Sequence, residues 1–300
     1  MKPYKSIEIK LRPPFNISLT FEATPPAYPS IFEDNCLYRA FRVEGKLIPT
    51  MITFKGDVDH PRVEIRVFDE VSERQLREVI SLVKRHLCDD LDLKEVYKTM
   101  GEGFSWISKE LYGLKPWLAP TPFEGIILSI AFQQISIKAA LSIIKSLVEQ
   151  VGDYVEVEGL RFYSFPTPEK LASMSIEDLR KCKLSLNKAR YVKALSQEVL
   201  KGLSLYKLET LSTRELYDVL TSLKGIGKWT AELALLIAFK RWESLPSDDL
   251  GIRKAFAKII FNKPIASAQE VATYAERWGM YKGPIAYYLL IYYEKFLRHQ

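Results

Sequence analysis

The 300-residue chain reads as an α+β protein, with an antiparallel sheet domain at its N-terminus followed by a mostly α-helical remainder. Three observations predict this. Alternation of apolar and polar residues with period 2, the mark of a half-buried strand, is confined to the first seventy residues. From Ser72 onward, apolar residues recur at i, i+3 and i+4, as on one face of a helix. Finally, the segment Leu223-Lys224-Gly225-Ile226-Gly227-Lys228-Trp229-Thr230-Ala231 sets two glycines, one residue apart, between two helical patterns.

Residues 7–11 (Ile-Glu-Ile-Lys-Leu), 17–21 (Ile-Ser-Leu-Thr-Phe), 37–43 (Leu-Tyr-Arg-Ala-Phe-Arg-Val) and 63–67 (Val-Glu-Ile-Arg-Val) alternate as strands. Residues 47–54 form another apolar, β-branched run, and 72–87 place Leu76, Val79, Ile80 and Val83 on one helical face. This unit is expected to close near residue 95. Pro116, Pro120 and Pro122 mark a connector, after which 122–150 supply a long apolar helical region through Ile126, Ile127, Ile130, Ile137, Leu141 and Ile144. Pro166 and Pro168 break the chain before short helices at 168–173, 175–181 and 186–200. Ser212-Thr213-Arg214-Glu215 is a capping box, in which serine and glutamate satisfy two orphan N–H groups reciprocally; it opens a helix to about Leu223. Helices are expected over 229–241, 251–261, 266–278 and 284–297. No repeat of fixed period and no low-complexity tract occurs.

Composition narrows the function. The length suggests about two domains with ample apolar content for real cores. Nothing at the N-terminus resembles a signal peptide, and no apolar run approaches membrane length. Cys36, Cys88 and Cys182 form no CxxC pair, and His60, His86 and His299 are equally scattered. A zinc site or a cysteine-held iron–sulfur cluster is therefore not expected, and a reduced intracellular compartment is. The net charge of +6 is uneven: residues 1–100 carry 16 basic and 16 acidic side chains, the last fifty 8 against 3. A basic C-terminal region suits a polyanion, although an ordinary solvated surface explains charge alone as well.

The glycine segment carries the chemistry. Glycine turns tightly between helices without steric cost, and its missing side chain lets a phosphate approach the backbone amides. Lys228 adds a cation at the same place. A plain helix–helix turn accounts for the two glycines alone. The capping box before them, Lys228 within and Trp229-Thr230-Ala231 after favour a grip on a DNA backbone through Gly225, Gly227, Lys228 and Thr230. About twenty residues later comes Pro246-Ser247-Asp248-Asp249. A carboxylate near a bound phosphodiester points to chemistry on the nucleic acid, whereas helix capping is the competing role for an aspartate before Leu250. Local sequence leaves the two aspartates open.

The segment 223–231, with an aspartate in the next loop, resembles the helix-hairpin-helix/Gly-Pro-Asp superfamily of DNA glycosylases, and most nearly its alkylation-repair branch, 3-methyladenine DNA glycosylase II. Gly113-Leu114-Lys115-Pro116-Trp117, Gln133-Gln134-Ile135-Ser136-Ile137, Leu186-Asn187-Lys188-Ala189-Arg190-Tyr191, Tyr274-Ala275-Glu276-Arg277-Trp278 and Tyr287-Tyr288-Leu289-Leu290 are similar to that branch's landmarks, in order. The likeness covers roughly residues 113–293. It implies an accessory α+β domain (1–95) and a glycosylase core of two helical subdomains flanking a cleft. One comprises 96–122 with 242–300; the other, 123–241, contains the helix-hairpin-helix.

The implied activity is monofunctional: hydrolysis of the N-glycosidic bond of flipped-out alkylated purines, such as 3-methyladenine and 7-methylguanine, in base excision repair of double-stranded DNA. The alternatives are an 8-oxoguanine or deaminated-purine glycosylase, with or without lyase activity, and a non-catalytic helix-hairpin-helix DNA-binding protein. The family frame, an aspartate shortly before a hydrophobic-basic pair, selects Asp249 as catalytic and leaves Asp248 as the cap. Bifunctional members carry a lysine where this chain has Trp229, and Lys228 is one residue early, about 100° away around a helix. Trp229 instead suits a cationic alkylated base, by stacking and cation–π attraction. Gln133 and Gln134 stand where the family places residues that enter the DNA. Gln134 matches the wedge, which is apolar in the bacterial pattern. Tyr293 falls near a pocket aromatic. The carbonyls of Thr221, Leu223 and Ile226 correspond to a monovalent-cation site, for K+ or Na+. No cofactor is required, no iron–sulfur cluster is expected, and the protein is expected to act as a monomer in the cytoplasm, or in the nucleus of a eukaryote.

Overall fold

Five strands form the N-terminal sheet in the order β1-β5-β4-β3-β2, every neighbouring pair antiparallel. They are β1 (Lys5–Lys10), β2 (Ile31–Glu33), β3 (Cys36–Val43), β4 (Lys46–Lys55) and β5 (Arg62–Val67). The computed structural model describes residues 2–298, so His299 lies outside it. β3 and β4 pair in register from Val43↔Lys46 to Cys36↔Thr53, joined by Glu44 and Gly45 at φ +50° and +81°. Two successive left-handed residues match the twist of the strands they join. Val63, Ile65 and Val67 on β5 are fully buried, together with Leu37, Ile48 and Ile52, because period 2 sends them to one face.

Residues 17–21 are not a strand. They lie in α1 (Ile17–Ala23), capped by Asn16, whose Oδ1 accepts the Leu19 N–H at 3.1 Å. The neighbours Thr20 and Phe21 are both buried, which period 2 does not permit on a one-sided sheet. α2 (Glu73–His86) follows with a complete capping box from Ser72 and Gln75, and lays Leu76, Val79, Leu82 and Val83 on the sheet.

The helical region contains α3 (Leu93–Met100), α4 (Ser105–Glu110), α5 (Pro122–Ala131) and α6 (Ile137–Val151). The long apolar helical region from 122 is two helices, α5 and α6, with the segment 133–136 as the loop between them. Ser136 caps α6 by accepting the Ala139 N–H, and Gln134 before it stands at φ +55°, outside helical geometry. A short hairpin, β6 (Tyr154–Val157) and β7 (Leu160–Tyr163), was not anticipated from the sequence. Its Phe162 packs with Tyr38, Ala40 and Met51 on the second face of the sheet. The expected short helices are α7 (Pro168–Ser173), α8 (Ile176–Lys181) and α9 (Leu186–Leu200); a single turn, α10 (Leu205–Leu208), follows.

The last helices are α11 (Thr213–Ser222), α12 (Lys228–Ile237), α13 (Leu250–Phe256), α14 (Ala268–Ala275) and α15 (Lys282–Tyr292). Three main cores result. One joins the sheet to α2. A second unites Ile126, Leu147, Val192, Leu220 and Leu235 from α5, α6, α9, α11 and α12. The third unites Val96, Phe256, Trp278 and Tyr288 from α3, α13 and the C-terminal helices. Between the first two, Arg39 on β3 meets Glu124 on α5 through two bonds of 3.0 and 2.9 Å, both side chains under 5% exposed. Among the described residues, no helix is long and apolar enough to cross a membrane.

Candidate active site

The hairpin is assembled by its own capping chemistry. Ser212 Oγ accepts the Glu215 N–H at 3.3 Å, and Ser212 N–H donates to Glu215 Oε2 at 2.9 Å, which starts α11. After α11 the chain turns through Gly225 at φ +83°. A Cβ there would fall 2.1 Å from Cγ of Tyr191 on α9, so the ring occupies the space a side chain would need. Gly227 caps α12 with no side-chain acceptor, and a Cβ on it would meet nothing within 4 Å. Gly227 and Lys228, at the head of α12, are exposed, and the helix dipole favours an anion there.

Two consecutive residues of α12 reach two consecutive aspartates. Lys228 Nζ pairs with Asp248 Oδ2 at 2.9 Å on the exposed side. The Trp229 Nε1–H donates to Asp249 Oδ2 at 3.2 Å, half-buried. The other oxygen of Asp249, Oδ1, accepts the Ile252 N–H at 3.0 Å, so Asp249 is the N-cap of α13. Capping and the proposed catalytic role thus fall on the same residue, and Asp248 is not the cap. Gly251 packs closely behind it, where a Cβ would sit 2.9 Å from Leu290 Cδ1 and 3.2 Å from Asp249 Oδ1. The carboxylate is oriented by both its oxygens while remaining partly exposed.

The other expected residues are distributed differently from the sequence reading. Gln134 is exposed at the tip of the α5–α6 loop, next to Ile135 at 39% exposure. Gln133 is turned inward instead: its Nε2 donates to Gly225 O and to Thr230 Oγ1, each at 2.9 Å. Thr230 is only 4% exposed, so its hydroxyl faces Gln133 and not a nucleic acid. Tyr293 lines a separate groove of about 420 Å³ with Lys254, Lys258 and Arg298. Around the hairpin, Leu223 O accepts the Ile226 N–H at 3.1 Å, and the Thr221 hydroxyl donates to Tyr217 O at 2.9 Å. Backbone carbonyl oxygens are the acceptor atoms at this turn, Leu223 O already taking one hydrogen bond, and no group of three His, Cys, Asp or Glu residues capable of holding a metal occurs among the described residues.

Glu232, one turn after Lys228, went unnoticed in the sequence. It lies in a cleft of about 560 Å³ between α11, α12 and the loop after α12, with Arg214, Lys228 and Lys282. Its Oε2 is buried without a hydrogen-bond partner. Burial pushes its carboxyl up to about 7, assisted by Asp248 and opposed by Lys228 and Lys282. Its only sequence signal is the i, i+4 spacing from Lys228 on α12.

A glycine hairpin poised for phosphates, beside an aspartate at the head of the next helix, is an arrangement suited to gripping and acting on a nucleic acid. The model of the HhH-GPD superfamily of base excision DNA repair proteins matches residues 127–280, just over half of the sequence, and the chain belongs to that superfamily. DNA-3-methyladenine glycosylase 1 of Schizosaccharomyces pombe is 32% identical over 170 residues, 56% of this chain and 71% of that protein. The DNA-3-methyladenine glycosylase of Bacillus subtilis is 28% identical over 186 residues, 61% of this chain and 60% of its own length. Over almost the entire chain, the structure resembles the 3-methyladenine DNA-glycosylase of Archaeoglobus fulgidus, with a TM-score of 0.86, 31% identity and coverage of 97% and 99%. It also overlays the 8-oxoguanine glycosylase/lyase of Clostridium acetobutylicum in complex with DNA at a TM-score of 0.76, 19% identity and coverage of 98% and 99%, a likeness of fold alone. The sheet domain with its helical core is thus the fold of a DNA N-glycosylase.

Proposed function

We propose that the protein is a monofunctional DNA glycosylase of the 3-methyladenine glycosylase II type, which hydrolyses the N-glycosidic bond of alkylated purines flipped out of double-stranded DNA. The observation that carries this reading is the pair Trp229–Asp249: where bifunctional relatives carry a lysine, position 229 offers an indole bonded to the carboxylate, while Lys228 one residue earlier pairs with Asp248 instead. The likeness to 3-methyladenine glycosylases of three organisms supports the alkylated-base class.

Cleaving the bond builds positive charge on the sugar, and Asp249, held in place by Ile252 and Trp229, stabilises it while water attacks. With tryptophan and not lysine at position 229, water and not a lysine amine is the nucleophile of this proposal. Alkylated purines such as 3-methyladenine and 7-methylguanine already carry positive charge, which weakens the bond and draws the base to the face of Trp229. Flipping costs a few kcal/mol and is cheaper for damaged pairs. Gln134 fills the vacated stack, and the N–H groups of Gly225, Gly227 and Lys228 hold the neighbouring phosphates. Lys228 exchanges its partner Asp248 for a phosphate as DNA arrives. A K+ or Na+ ion on the carbonyls of Thr221, Leu223 and Ile226 would brace the turn; the reaction needs no further cofactor. One copy of the chain holds all these groups, so a monomer suffices.

A panel of methylated, oxidised and deaminated duplexes in one excision assay tests the proposal. Excision of alkylated purines is expected, with no adduct on borohydride treatment. Asp249→Asn is expected to lose at least about 100-fold in rate, the scale of a lost electrostatic stabiliser, and Asp248→Asn to retain most activity. Full activity in Asp249→Asn would refute the catalytic role, and a borohydride-trapped adduct would refute monofunctional hydrolysis.

A further inference from the structure

The α5–α6 loop and the phosphate hairpin are joined by one side chain that is 92 residues from its hairpin partner in sequence. Both N–H groups of the Gln133 amide are used, one on Gly225 O and one on Thr230 Oγ1. A backbone carbonyl carries no hydrogen, so Gly225 decides which way the amide faces. Gly225 is also packed from its other side by the Tyr191 ring of α9. The same helix sends Lys188, 7% exposed, to Ala131 O at 2.9 Å, where it caps the end of α5. The loop, α9 and the hairpin therefore form a tripod. On its outer side the loop offers Gln134, exposed and at φ +55°, in the left-handed region.

We propose that Gln133 is a positioning residue: its amide registers the loop that enters the DNA stack against the hairpin that grips the backbone. A base is then displaced only at the nucleotide whose phosphates are held. This rests on the glycosylase reading above, but assigns Gln133 a role inside the protein and not on the DNA. Without the strut, hairpin and wedge would each meet DNA, but in no fixed register, and gripping would no longer be tied to opening.

Gln133→Leu removes both donors while filling similar space, and Gln133→Glu places a second oxygen against the Gly225 carbonyl. Each variant is to be compared with wild type for duplex affinity, for the fluorescence of 2-aminopurine in a base pair the protein opens, and for single-turnover excision. Affinity is expected to stay within about threefold, since the phosphate contacts remain. Pair opening and duplex excision are expected to fall together by about tenfold, roughly the worth of two neutral hydrogen bonds. Excision of the same lesion from a single strand, which has no stack to open, should stay within about twofold. Gln134→Gly should impair opening in the wild type and add nothing in Gln133→Leu, the signature of a coupled pair. Wild-type opening by both Gln133 variants would overturn the proposal. So would an equal loss on duplex and single strand together with a lowered melting temperature, which marks a merely structural side chain. A wild-type protein that excises lesions but opens no 2-aminopurine pair would overturn the strut alone; one that excises none would remove the glycosylase reading, and the strut with it.

Discussion

Trp229 does two things at once, and they are separable by substitution. Its ring is the face proposed to meet the base, while its indole N–H restrains one oxygen of Asp249. Trp229→Phe keeps an aromatic face and loses the donor. Single-turnover excision is expected to drop about tenfold with little change in affinity for alkylated DNA, since one hydrogen bond to a charged group is removed. Glu232 gives a pH signature. Its carboxyl is raised from the ordinary 4.5 to about 7, so the folded state favours the protonated form. Stability from that form is complete below pH 4.5 and is lost as pH rises through 7, because the buried group must then ionise. Glu232→Gln is expected to match wild type in urea midpoint at pH 4 and to exceed it at pH 8. Equal midpoints at both values would show that the side chain reaches water.

The hairpin connecting α11 and α12 shows why local sequence reads backbone well and partners poorly. Ser212, Glu215, Gly225 and Gly227 sit where capping and turning need them, all legible from residue type and spacing. Gly225→Ala should destabilise the protein by more than about 1 kcal/mol and weaken DNA binding, because a left-handed residue there also overlaps the Tyr191 ring. Chemical denaturation and a duplex titration measure the two effects, and an unperturbed variant would mean the ring can move aside. Apolar periodicity alone does not show the break between α5 and α6, because it continues across 132–136; the resemblance of 133–137 to the family's DNA-entering loop does, and Ser136 restarts the helix there. The strand expected at 17–21 failed for a related reason: five alternating residues fit either period, and Asn16 settles the matter as a cap. The β6–β7 hairpin carried a signal after all, since Glu158-Gly159 repeats the Glu44-Gly45 turn with both residues at positive φ.

Across the fold, the accessory sheet is bound to the helical core by polar as well as apolar contacts. The Arg39–Glu124 pair is buried and bidentate, and Arg39 also donates to Ser30 Oγ, which lies 2.8 Å from His86 Nε2. Arg39→Met strands Glu124 without its partner and is expected to cost about 3–5 kcal/mol, whereas Arg39→Met with Glu124→Leu should recover most of it. Equilibrium unfolding of the three proteins decides, and a single variant as stable as wild type would show that the junction does not depend on the pair. Neither residue stood out in the sequence, because an arginine on a strand and a glutamate in a first helical turn are unremarkable until the topology joins them 85 residues apart.

The sequence by itself determined the α+β class, the capping boxes and the glycine hairpin, since each follows from periodicity or from a backbone need met within a few residues. Which of the two aspartates heads α13 was settled by the fold, which makes Asp249 and not Asp248 the cap. Tertiary structure alone decided which way the functional side chains face. Gln133 turned from the expected DNA surface to the hairpin carbonyl, Thr230 was buried against it, Tyr293 went to a basic groove, and Trp229 acquired Asp249. The physical reason is the same for all four. A side chain's hydrogen-bond partners come from elements far away in sequence, so they exist only once those elements have packed.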